Sequence, residues 1–172
     1  MSGTMKIAKT LRITILCALC LILRSGSLNS QTGKPETTTH HATGTFEVKI
    51  DPEPADEKAG APALARMLIN KQFRGDLEAT SKGSMLAAGA GAKGSSGGYV
   101  ALEIVSGTLK GRTGTFVLQH TGIMNRGTPS LTVTVVPDSG TGQLTGLAGK
   151  MAITIVDGKH SYDLEYTLPE SQ

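Results

Sequence analysis

From Gly44 onward the apolar residues recur at every second position, in runs that end at or near glycine or proline. A period of two puts one face of an extended strand in a core and the other toward solvent. Thr45-Phe46-Glu47-Val48-Lys49-Ile50 is the first run. Arg66–Arg74 and Asp76–Ala88 follow, separated at Gly75, with a kink expected near Gly83. Tyr99–Val105, Thr115–Met124, Leu131–Val136, Met151–Val156 and Lys159–Leu168 complete the set. Asp157-Gly158 between the last two is a strong two-residue hairpin signal. Pro52, Pro54 and Pro62 break the chain after the first strand, and a short helical start is compatible only with Ala63–Leu68. Eight strands joined by glycine-rich turns predict an all-β domain, a closed antiparallel barrel or a sandwich.

The first 30 residues have a different grammar. A basic stretch (Met1–Arg12) precedes an apolar run of 11 residues (Ile13–Leu23) and a small, polar Arg24–Ser30. This is the layout of a signal peptide. The run falls short of the roughly 20 residues that span a bilayer. The expectation is therefore export to the periplasm or the cell exterior, with no stable membrane span after cleavage. Residues 31–41 (QTGKPETTTHH) read as a disordered spacer, and 42–172 as one barrel domain.

Removing the leader changes two other readings. Both cysteines, Cys17 and Cys20, go with it, leaving no disulfide, thiolate metal ligand or thiol nucleophile. Four of the 17 basic residues go too, leaving 13 against 14 acidic ones, so a nucleic-acid partner is not expected. No metal site and no cofactor are expected either. His40-His41 stands without a second ligand cluster, Asp138-Ser139-Gly140 is turn chemistry, and no strand-to-helix phosphate loop is present.

One pattern occurs twice. Gly107–Leu118 and Gly142–Ile153 both read G-x-L-x-G-x-x-G-x-Φ-x-Φ, with Φ apolar. The match predicts two barrel corners built alike, with Phe116 and Met151, and Leu118 and Ile153, facing inward.

The segments GDLEATSKGSMLAAG, GGYVALEIVSGTLKGRTGTFVLQHTGIMNRG and PDSGTGQLTGLAGKMAITIVDGKHSYDLEYTL resemble the domain of unknown function 3224 family of uncharacterised bacterial proteins. The resemblance runs from about Gly44 to Leu168. That family is similar in fold to the allene oxide cyclase barrel, which implies a closed eight-stranded antiparallel β-barrel here. It implies no cyclase chemistry, because fold does not carry function.

Taking the apolar member of each strand as inward places Phe46, Val48, Ile50, Ile69, Phe73, Leu77, Met85, Val100, Leu102, Ile104, Phe116, Leu118, Leu131, Val133, Val135, Ile153, Ile155, Leu164 and Leu168 in the barrel. The same parity carries Lys71, Ser81, His120, His160, Tyr162 and Tyr166 inside, where polar groups need partners. Lys71, His120, Tyr162 and Tyr166 are the candidate ligand-binding set, expected to converge on a cavity. Lys71 there would face a carboxylate, a ligand acid or solvent. The plainer accounts are histidines inert at a rim and tyrosines that fill the core. Glu78, Lys82, Tyr99 and Glu103 fall on the outer parity. They form a second set should a bulge at Gly75 or Gly83 invert it.

Three functions fit this chain: a barrel that binds a small apolar or amphipathic ligand, an isomerase- or cyclase-like enzyme on the same scaffold, and a packed structural module that forms a homo-oligomer. The first accords best with an apolar interior holding a few polar groups. The leader carries its own test. Mass spectrometry of the cell-envelope fraction should find a processed form beginning near Leu28 or Gln31, and intact Met1 on the purified protein would refute cleavage.

Overall fold

The computed structural model describes residues 38–54, 64–89 and 94–169. The expected leader and most of the expected spacer lie outside the described residues. Eight strands follow in order: β1 (His40–Pro52), β2 (Ala65–Gly75), β3 (Leu77–Gly89), β4 (Gly97–Leu109), β5 (Arg112–Asn125), β6 (Thr128–Val135), β7 (Ala148–Val156) and β8 (Lys159–Thr167). Each is antiparallel to its sequence neighbour, and β8 returns to β1 to close the barrel. His40 and His41, read from sequence as spacer, are the first residues of β1 and pair with Tyr166 and Glu165. Ala65–Leu68 belongs to β2, so the short helical start there is not formed.

Three of the hairpins use the same turn. Lys110-Gly111, Arg126-Gly127 and Asp157-Gly158 all have positive φ at both residues, 44 and 83°, 48 and 85°, and 49 and 74°. This backbone twists the way the flanking strands do, which is why such turns join antiparallel neighbours. The β2–β3 turn is held by side chains instead. Glu78 accepts a hydrogen bond from the Gly75 amide at 2.9 Å, and Asp76 accepts one from the Thr43 amide at 2.9 Å.

The two ends of the barrel differ. At the end with the β2–β3 and β4–β5 turns, the interior is filled by Leu77, Leu109, Leu144 and Leu147, all fully buried. Leu144 ends a short 3-10 turn, Gly142–Leu144, within the long β6–β7 connection. That connection takes over from β6 alongside β5, with Val136 N–H donating to Val117 O (2.9 Å) and Thr141 N–H to Thr115 O (2.8 Å). The repeated pattern is visible here. Leu109 and Leu144 are matched plugs, and Gly111 and Gly146 share a left-handed φ of 83 and 80°. Phe116, Leu118 and Met151 are buried as expected, and Ile153 packs against the same cluster. The corners themselves differ, since one is a hairpin turn and the other a 3-10 turn.

β4 is inside out relative to the sequence reading. Val100, Leu102 and Ile104 point outward, 53, 56 and 59% exposed, and Ala101, Glu103 and Val105 point in. No bulge is responsible, because the β2–β3 and β3–β4 registers run unbroken from Phe73↔Ala79 through Gly83↔Glu103 to Gly89↔Gly97. The apolar alternation of β4 marks its solvent face, and its inner face is given to a small residue and an acid. Ile50 and Ile155 have the expected inward parity but sit near strand ends and are exposed, and Leu131, in the middle of β6, is exposed at the open mouth.

Substitution separates the two faces. Phe116→Ala removes a fully buried ring and should destabilise the domain by roughly 3–5 kcal/mol. Ile104→Ala, on the outer face, should cost under about 1 kcal/mol. Chemical denaturation of both variants checks this, and equal losses would contradict the observed facing of β4.

Candidate functional site

Four neighbouring strands each send one polar side chain to the same point inside the barrel. Lys71 comes from β2, Ser81 from β3, Glu103 from β4 and His120 from β5; Lys71 and Ser81 are directly cross-strand. All four are buried, Glu103 completely and the others to 8% exposure or less. Glu103 Oε2 lies 2.7 Å from Lys71 Nζ and 3.0 Å from His120 Nε2. The lysine contact is a directed hydrogen bond. The histidine contact is close but off-axis, so His120 Nε2 has no well-directed partner. Glu103 Oε1 and Ser81 Oγ also lack one. The ammonium of Lys71 further rests against the rings of Phe46 and Phe73, 4.9 and 5.7 Å from their centroids.

The electrostatics of Glu103 follow from this arrangement. Burial by itself raises a carboxyl pKa. Here His120, the Lys71 charge, the Lys71 hydrogen bond and, least, the Ser81 hydroxyl outweigh it, and the pKa falls to about 2. The carboxylate is thus held ionised through the neutral range. Neither charge of the pair could be buried alone without a large desolvation cost.

Beyond this cluster, at the end opposite the leucine plugs, the barrel opens. A cavity of about 460 Å³ is lined by Met67, Met85, Tyr99, Met124 and Leu131, with Ala65, Ala87 and Gly122 between them. The Tyr99 ring packs against Gly122, where an added Cβ would fall 2.1 Å from Cε1. Only glycine leaves room for the ring there. Burial raises the Tyr99 pKa, and the charge on Glu103 adds to the effect, so the mouth and the cluster are electrostatically linked. Stepping inward along one face, β3 runs Met85, Gly83, Ser81 and β4 runs Tyr99, Ala101, Glu103. On β5 the step is Gly122 to His120.

Of the four residues expected to converge, Lys71 and His120 do, and they meet at Glu103. Tyr162 and Tyr166 do not join them. Tyr162 accepts a hydrogen bond from Leu77 N–H (2.9 Å) and donates to Arg74 O (3.3 Å), which ties it to the closed end. Tyr166 packs on His40 at 5.4 Å, and His160 on Phe46 at 5.0 Å. Within the second set the expectation divides. Glu78 and Lys82 stay outside, since the bulge that would have turned them in is absent. Glu103 and Tyr99 are inside, through the facing of the whole of β4. The available signal was Lys71: an inward lysine needs a carboxylate, and Glu103 lies on a strand rich enough in β-formers to have either face inward.

The sequence model of a family described as "protein of unknown function (DUF3224)" matches residues 42–166. The chain belongs to this DUF3224 family. A crystal structure of a DUF3224 protein of unknown function from Shewanella oneidensis MR-1 is similar, with 47% identity and a TM-score of 0.70. The match covers 77% of this chain and all of that one. No curated protein matches the chain.

Acid stability reports on Glu103. Its folded pKa is depressed, so its contribution is full above the unfolded value near 4.5 and is lost as pH falls toward about 2. The parent domain should therefore lose stability between about pH 4.5 and 2 more steeply than Glu103→Gln, followed by denaturant melts across that window. Parallel pH profiles would show that the carboxylate is not held as described.

Proposed function

We propose that this DUF3224 barrel binds a small amphipathic molecule in its open mouth. The observation that carries the reading is the asymmetry of the interior. One end is plugged by leucines, and the other retains a cavity of about 460 Å³ lined by three methionines, a tyrosine and a leucine. Methionine lining adapts to varied apolar shapes, and the volume falls within the range of small-molecule sites. A module packed throughout would have no reason to leave Met67, Met85 and Met124 around open space.

A proton-transfer enzyme is less well supported by the same site. Glu103 is the natural base by position, but a carboxylate with a pKa near 2 is a weak one at neutral pH. Its tight pairing with Lys71 suits a fixed acceptor better than a proton carrier.

Thermal melting against a panel of medium-chain amphiphiles tests the reading. At a hundredfold excess over Kd, binding adds about 2.7 kcal/mol, a Tm rise of roughly 10 °C. Met85→Trp, which fills the mouth, should fold and abolish the rise. An undiminished response in that variant, or no response from the parent to any member of the panel, would sink the proposal.

A further inference from the structure

The polar cluster beneath the mouth specifies which end group such a molecule carries; this inference rests on the binding reading above. Glu103 Oε2 is occupied by Lys71 and faces His120, at 2.7 and 3.0 Å. Its other oxygen, Oε1, is buried with no well-directed donor, and Ser81 Oγ on the adjacent strand, near enough to help hold the charge, makes no well-directed bond either. A buried acceptor without a donor is costly. Between these atoms and the mouth the inward positions on β3 and β4 are Gly83 and Ala101, the two smallest side chains available. At Gly83 the backbone of β4 lies close, 2.5 Å from an added Cβ to Leu102 O, so the small residue that separates Glu103 from the cavity-lining Tyr99 along β4 is Ala101.

We propose that the ligand bears an uncharged hydroxyl that passes over Ala101, donates its hydrogen bond to Glu103 Oε1 and accepts one from Ser81 Oγ. Charge selects the hydroxyl. Lys71 and Glu103 already compensate one another. A carboxylate head would bring a second anion against Glu103, and an ammonium head a second buried cation beside Lys71. Either would be desolvated without a counter-charge. A hydroxyl supplies a well-directed donor at no such cost, and its alkyl body lies among Met67, Met85 and Tyr99.

Isothermal titration calorimetry on the full chain, with four octyl-sized probes, decides the matter. The probes are 1-octanol, its donor-free isomer 1-methoxyheptane, octylamine and octanoate. The parent should prefer 1-octanol over the ether by about tenfold, the value of one hydrogen bond to a charged group, and over the amine and acid by at least as much. Lys71→Met/Glu103→Leu replaces the ion pair with apolar groups, and Ala101→Leu closes the passage without touching a charge. Both should bind alcohol and ether equally. Should the double variant not fold, Ala101→Leu and the probe series still give the answer. Equal affinity of alcohol and ether in the parent would overturn the hydroxyl anchor and leave the mouth reading standing. Tightest binding of octanoate would overturn it in favour of Lys71 as an acid receptor. A crystal structure in which an ordered water stays on Glu103 Oε1 with octanol bound would also overturn it. Binding of none of the four would fail the mouth reading itself.

Discussion

The contact between Lys71 and Glu103 governs how the interior of this barrel is arranged. An ammonium and a carboxylate, both removed from water, persist only if they meet, and here they meet at 2.7 Å. That requirement fixes the facing of β4. With Glu103 inward, Ala101 and Val105 must also be inward, and Val100, Leu102 and Ile104 must accept solvent. It also sets the neighbours: His120 and Ser81 border the acid, and the rings of Phe46 and Phe73 shield the lysine. The pair divides the barrel into a filled half and an open half.

How much of this the chain discloses in advance depends on what each strand's alternation reports. On β1, β2, β3, β5 and β8 the apolar positions are also the inward ones, so Phe46, Phe73, Leu77, Phe116 and Leu164 are legible directly. On β4 the rule misleads. Its β-branched and leucine side chains suit a pleated surface on either face, and a narrow interior crowded by Lys71 and His120 has room for alanine, glycine and one acid. The closed end is legible only in part. The repeated glycine and leucine spacing foreshadows the paired plugs Leu109 and Leu144, but nothing in it distinguishes a hairpin turn from a 3-10 turn.

The site was half visible for a related reason. Lys71 and His120 stand out because polar groups on apolar faces demand partners, and that demand pointed to a carboxylate without saying whose. Tyr162 and Tyr166 obey the same parity, yet parity says nothing about position along the barrel axis. Tyr162 spends its hydroxyl on backbone groups of the β2–β3 turn, at the end away from the cavity. Matching inward residues is therefore a weaker inference than matching inward residues at the same height, and height depends on register, which single-strand patterns do not encode.

The joints of the ring are unequal. β1 and β8, the most distant strands in sequence, are laced from His40↔Tyr166 to Phe46↔His160, whereas β6 and β7 meet in register only at Thr134↔Lys150. A cylinder so built behaves as a curled ribbon with one soft crease. Thermal fluctuation should concentrate at that crease, parting β6 from β7 while the other junctions hold. Leu131 of β6 lines the cavity, so the crease runs beside it.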